Sequence, residues 1–153
     1  MELLLLRHAE AEDLAATDQL RRLTEKGRRQ AESVGEYLSG HGITVDRVLS
    51  SPALRTMETA EIVARRLKAD VTPAPWALPG MSASAAIESL ENFRHCKRVL
   101  LVGHQPDIGL LIAKLLGLRD DRSLHVRKAS LFHLCLVSKG EAVLEASVPC
   151  KLM

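Results

Sequence analysis

Apolar residues along the chain alternate between short continuous runs and stretches where they recur at helical spacing, the pattern of a βα-type domain. Leu3 to Leu6 is an unbroken apolar run, predicting a strand buried on both faces that ends at Arg7-His8. Thr24 can cap a helix opening at Glu25, with Ala31, Val34 and Leu38 on one face and Gly40 and Gly42 beyond its end. A second strand follows at Arg47 to Leu49. Ser51 as N-cap and Pro52 as first helical residue then predict a helix that places Arg55 in its first turn and buries Met57, Ala60, Ala64 and Leu67.

A short strand near Val71 leads into an irregular Pro-rich loop from Pro73 to Gly80. A helix around Ala85 to Phe93 precedes an apolar strand, Val99 to Val102, that ends at Gly103-His104-Gln105-Pro106. Another helix runs to about Leu116. Leu131 to Val137 and Ala142 to Val148, about a Lys139-Gly140 turn, read as a terminal hairpin that adds antiparallel edge strands. The expected fold is therefore a three-layer α/β/α sandwich with a mainly parallel sheet and an antiparallel edge. The 153 residues, 46% of them hydrophobic, suit a single domain over residues 1–153.

The 21 basic and 19 acidic residues are scattered, for a net charge of +2, which offers no footprint for nucleic acid. The apolar start is too short for a membrane span or signal peptide, so the expected compartment is the cytoplasm, with no membrane partner. Cys96, Cys135 and Cys150 form no CxxC pair. His41, His95, His125 and His133 share no metal-ligand spacing, so neither a metal site nor a cofactor is expected.

Three separated segments share one address. Arg7-His8 ends the first strand, Arg55 opens the helix after the second, and His104 ends a later strand. Ligands of open parallel sheets collect at the strands' carboxyl ends, so two arginines and two histidines should converge there beside helix N-termini that favour anions. Arginine's planar fork matches phosphoryl oxygens, and a neutral imidazole supplies a nucleophile able to form and then lose a phosphohistidine without a metal.

Leu5-Leu6-Arg7-His8-Ala9, Ser50-Ser51-Pro52-x-x-Arg55-x-x-x-Thr59-Ala60 and Val102-Gly103-His104-Gln105-Pro106 resemble the motifs of the histidine phosphatase superfamily. The short length and Arg21-Arg22-Leu23-Thr24-x-x-Gly27 are similar to the SixA-type phosphohistidine phosphatases in particular. The resemblance implies that His8 is the phosphorylated nucleophile, that Arg7 and Arg55 bind the phosphoryl group, and that His104 stabilises it from the opposite side. Arg21 is implied as a further substrate-binding residue. The substrate would be a phosphohistidine-bearing protein or a small phosphorylated molecule.

Two departures stand out. Ala9 occupies a position usually held by glycine, which implies an ordinary negative φ there. The loop Pro75-Trp76-Ala77-Leu78-Pro79-Gly80, where larger members carry an acidic proton donor, has no carboxylate before Glu88. An alkoxide leaving group normally needs a general acid, whereas phosphohistidine can leave as imidazole once its second nitrogen is protonated, so the absence favours a phosphoramidate. Glu10 and Glu12 flank the nucleophile and are candidates to orient it or supply a proton, against the bland reading of solvated loop residues. Asp120-Asp121 and the basic stretch Arg122, His125, Arg127 and Lys128 read as solvent-facing, the latter alternatively as a contact for an acidic partner. Two other readings fit the same residues: a broad small-molecule phosphomonoesterase, and a non-catalytic module that recognises phosphohistidine.

Overall fold

The computed structural model describes residues 1–153. Its six strands are β1 (Glu2–Arg7), β2 (Arg47–Ser50), β3 (Val71–Pro73), β4 (Arg98–Gly103), β5 (Leu131–Ser138) and β6 (Glu141–Val148), in one sheet of order β3-β2-β4-β1-β5-β6. The first four strands run parallel; β5 pairs antiparallel with β1 and β6 with β5. Four α-helices, α1 (Glu25–Gly40), α2 (Leu54–Leu67), α3 (Ala83–Glu91) and α4 (Asp107–Leu115), cover the two faces.

The leucine run of β1 is central and wholly buried, and its alternation divides the core in two. Leu4 and Leu6 pack with Val48, Leu100 and Val102 beneath α1 and α2, which contribute Ala31, Val34, Leu38, Ala60 and Val63. Leu3 and Leu5 face the other way, with Leu49, Val99, Leu101 and Phe132, beneath Ile87 and Leu90 of α3 and Ile108, Leu111 and Ile112 of α4. The result is an α/β/α sandwich, and each buried leucine of β1 contributes roughly 1.5–3 kcal/mol.

The start of α2 differs from the sequence expectation. Ser51 and Pro52 are not its cap and first residue; Ala53 occupies the N-cap position and the helix opens at Leu54. The physical reason lies in the sheet. Ser51 still extends the β2 ladder, its N–H donating to the Val102 carbonyl at 3.1 Å, so the chain turns two residues later. Thr56 secures that turn, its hydroxyl placed between the Ser51 and Ala53 carbonyls at 2.8 and 2.6 Å. Arg55 nonetheless lies in the first turn. The Pro-rich loop also carries a single 3-10 turn, Pro75–Ala77, and is pinned by the Gly80 N–H donating to the Asp107 carboxylate at 2.9 Å.

Candidate active site

Three strand ends are stitched into one rim by backbone hydrogen bonds. The His8 N–H donates to the Gly103 carbonyl at 3.0 Å, Ser51 N–H to Val102, and Arg7 N–H to Ser130 at 3.3 Å. His8, Ser51 and His104 are thereby brought together at the carboxyl ends of β1, β2 and β4. The His8 and His104 rings lie 5.5 Å apart between centroids, tilted by 59°.

His8 is 8% exposed and its Nδ1 lies 2.7 Å from the Ala9 carbonyl oxygen. A carbonyl only accepts, so Nδ1 carries the proton and Nε2 keeps its lone pair. Burial, with Arg55, Arg7 and Arg21 nearby opposing a further positive charge, lowers the His8 pKa from 6.5 to about 4 despite the opposing pull of the Ala9 carbonyl. The ring is neutral at pH 7. Ala9 is not among the residues with positive φ, so the alanine needs no left-handed conformation. Its N–H donates to Thr59 Oγ1 at 3.2 Å, which fixes the turn that presents His8.

His104, 4% exposed, has Arg55 Nη2 at 3.2 Å from Nδ1 and Ser51 Oγ at 2.8 Å from Nε2. Guanidinium can only donate, so Nδ1 accepts and the Nε2–H points to Ser51. Burial, then Arg55, lower its pKa to about 3. Both histidines are thus neutral, with complementary roles available: a lone pair on His8 and an N–H on His104.

The two arginines of the rim, Arg55 buried and Arg7 half-buried, are only partly satisfied. Arg55 is 4% exposed; Nη1 donates to the Asp18 carbonyl at 2.6 Å and Nη2 pairs with the Asp18 carboxylate at 2.9 Å. Arg7 Nη1 donates to the Val126 carbonyl at 3.0 Å. The Nε atoms of both are buried without a partner. Buried guanidinium donors are nearly always satisfied, and two orphans on one rim describe a seat for an anion's oxygens.

Arg21 reaches the same neighbourhood, hydrogen-bonded to the Glu12 carbonyl and to the Asp18 carboxylate, the latter at 2.9 Å. Asp18, on a 3-10 turn at Asp18–Leu20, was not legible as a site residue because its partner lies 37 positions away. Hydrogen bonds from Arg21 and then Arg55 hold its carboxyl below the usual range, so it is an anion rather than a proton donor at neutral pH. The sequence does not point to Ser51 and Thr59 as neighbours of the rim; Ser51 reads as a helix cap, yet its hydroxyl lies 2.8 Å from His104 Nε2.

Neither Glu10 nor Glu12 turns its carboxylate to His8. Glu10 accepts from Thr24 Oγ1 at 3.1 Å and Lys26 Nζ at 2.9 Å, and Glu12 accepts from the Arg22 N–H at 3.2 Å. They tie the nucleophile loop to the start of α1. Asp120 pairs with Arg122, and Asp121 accepts from Gln105 at 3.2 Å.

A family profile described as the histidine phosphatase superfamily (branch 1) matches residues 3–76. The chain is 32% identical to a phosphohistidine phosphatase SixA homolog of Haemophilus influenzae, over 82% of this chain and 83% of that one. It is 34% identical to phosphohistidine phosphatase SixA of Escherichia coli K12, over 75% and 74%. Its fold superposes on that of the protein histidine phosphatase SixA complexed with tungstate with a TM-score of 0.91, at 24% identity over 99% of this chain and 98% of the other.

Proposed function

The chain belongs to the histidine phosphatase superfamily, and from that premise we propose that it removes the phosphoryl group from phosphohistidine on a protein by way of a covalent phosphohistidine at His8. The observation that carries this reading is the His8 ring, locked by Ala9 with its Nε2 lone pair free beside two arginines whose Nε donors are buried without a partner. In the first step His8 Nε2 attacks phosphorus and the bond from phosphorus to the substrate's ring nitrogen breaks. The leaving imidazole takes that electron pair and departs neutral, provided its other nitrogen already carries a proton. In the second step water attacks the phosphoryl group on His8, the bond to Nε2 breaks, and inorganic phosphate leaves.

Arg7 and Arg55 hold the phosphoryl oxygens throughout, and their fixed positive charge stabilises the negative charge that the oxygens carry in the transition state. Arg55 must exchange its contact with the Asp18 carboxylate for one with phosphate, while Arg21 keeps Asp18 close by. His104, a neutral donor through Nε2, faces a phosphoryl oxygen with the N–H that Ser51 Oγ keeps oriented. No carboxylic acid stands ready to protonate an alkoxide, since Asp18 is ionised and Glu10 and Glu12 point away, which favours phosphohistidine over alkyl phosphates. No helix is long and apolar enough to cross a membrane. The free thiols of Cys96, Cys135 and Cys150 suit a reducing compartment, and we assign the reaction to the cytoplasm.

The test is rapid quench under neutral conditions with a phosphohistidine-bearing protein, with and without chelator, comparing the native chain with His8→Ala. The reading expects chelator-resistant phosphate release, labelling of His8, and loss of both in His8→Ala. Binding without labelling or release would make the protein a phosphate reader. Equal turnover of alkyl phosphates would make it a general phosphomonoesterase.

A further inference from the structure

Beside the catalytic rim lies a cavity of about 250 Å³ lined by His125, Arg127, Ser130, Ser147, Pro149 and Lys151. It contains three basic side chains and no acidic one. Neither Arg127 nor Lys151 has a carboxylate within ion-pair distance, although twelve such pairs occur elsewhere in the protein. Arg127 Nε donates to His125 Nε2 at 3.1 Å, which leaves the outer nitrogens of its guanidinium unclaimed.

The cavity wall also holds Ser130, 1% exposed, whose hydroxyl is buried with no hydrogen-bond partner. A hydroxyl so placed costs roughly 1–3 kcal/mol unless something pairs with it. The backbone beside it is strained as well. Ala129 is left-handed at φ 54°, a conformation that costs a non-glycine residue roughly 1–2 kcal/mol. That bend lets the Ala129 N–H reach the carbonyls of Arg7 and His8 at 3.1 and 3.2 Å, while Val126 receives Arg7 Nη1. The backbone of Val126 and Ala129 therefore holds Arg7 and His8 from behind, while the side chains of His125 and Arg127, which do not touch the rim, line the cavity.

We propose that this cavity is a second anion site that seats an aspartate or glutamate side chain of the protein substrate while its phosphohistidine occupies the catalytic rim. The proposal rests on the phosphohistidine phosphatase reading. Spacing selects a protein as the source of the anion. Lys151, on the far wall, follows the end of β6, which lies two strands from β1, roughly 10 Å at the usual interstrand distance. A small phosphoramidate held at His8 cannot span that gap. A carboxylate about three residues along an extended segment, or about two turns along a helix, can. Recognition by paired cations with a buried hydroxyl donor suits the two oxygens of a carboxylate.

The test compares the native chain with Arg127→Gln/Lys151→Gln and with a charge-matched control, Arg65→Gln/Lys97→Gln, at exposed positions away from the rim. Fluorescein-labelled peptides carry an unphosphorylated histidine flanked either by glutamates or by glutamines, and binding is read by anisotropy. The glutamate peptide should bind the cavity variant about tenfold more weakly and the control within about twofold of native, with the glutamine peptide indifferent to all three. In parallel, the cavity variant should turn over phosphoramidate at the native rate while its KM for the glutamate-flanked phosphohistidine peptide rises about tenfold. Equal binding of both peptides, equal losses in cavity variant and control, or a KM increase shared by phosphoramidate would overturn the proposal. If the native chain dephosphorylates nothing, the phosphatase reading fails while the anisotropy result still decides the cavity.

Discussion

Replacing Gly27 by alanine sets two effects of opposite sign against each other. Gly27 lies in the first turn of α1, where intrinsic propensity favours alanine over glycine by roughly 0.8–1.0 kcal/mol. A Cβ there would stand 1.9 Å from the Glu10 carbonyl oxygen and 2.9 Å from its carbon, against the 3.4 Å at which ordinary contact begins. The obstacle is backbone, and that backbone accepts the Thr24 N–H at 3.0 Å two residues after the nucleophile. Helix and loop must therefore part by more than an ångström. Overpacking costs roughly 1–3 kcal/mol, and a backbone obstacle at 1.9 Å places this case in the upper part of that range, about 2–3, so the clash outweighs the propensity gain and net destabilisation should be about 1–2 kcal/mol. A displacement of about 1 Å at a catalytic group costs on the order of 10²-fold in rate. The assay is denaturant unfolding beside single-turnover phosphate release, with Gly40→Ala in the same helix as reference, since nothing lies within 4 Å of a Cβ there. Gly40→Ala should be neutral to stabilising and fully active. If Gly27→Ala were as stable and as active as Gly40→Ala, the close docking of α1 on the nucleophile loop would be refuted.

Two further outcomes follow from the geometry. The pKa values of His8 and His104, lowered to about 4 and about 3, mean that between there and 6.5 the unfolded chain binds protons that the folded chain refuses. Their contribution to stability is full above about 6.5 and is lost as pH falls, on the order of 3 kcal/mol from each histidine by pH 4; urea midpoints should fall accordingly, and His8→Asn should remove about half of the slope. Ser51→Ala should lower kcat about tenfold with little change in KM, because His104 loses the acceptor that orients its Nε2–H; an unchanged kcat would remove Ser51 from the site.

The parallel framework was legible because β1, β2 and β4 are short apolar runs and α1 carries a clear cap, Thr24 Oγ1 accepting from the Gly27 N–H at 3.0 Å. The rim could be placed because strand ends and ligands coincide in such sheets. What escaped depends on contacts distant in sequence. Asp18 gains meaning only through Arg55, and the basic stretch at Arg127, exposed as expected, acquires neighbours in Ser147 and Lys151 only once the hairpin folds back beside it. Ser51 misled for a different reason: a serine before a proline carries the same local signal whether its hydroxyl caps a helix or holds a histidine.

The placement of β1 has a consequence for how the protein comes into being. β1, which carries Arg7 and leads to His8, is synthesised well before both its neighbours in the sheet, β4 and β5. A nascent chain must carry residues 2–7 unpaired until residues near 98 and then 131 leave the ribosome, so the rim assembles only after β4 and β5 have been made. Pairings so remote in sequence slow folding, and they leave an apolar leucine run in want of a partner while about ninety intervening residues are made. The same arrangement withholds phosphatase chemistry from every incomplete chain.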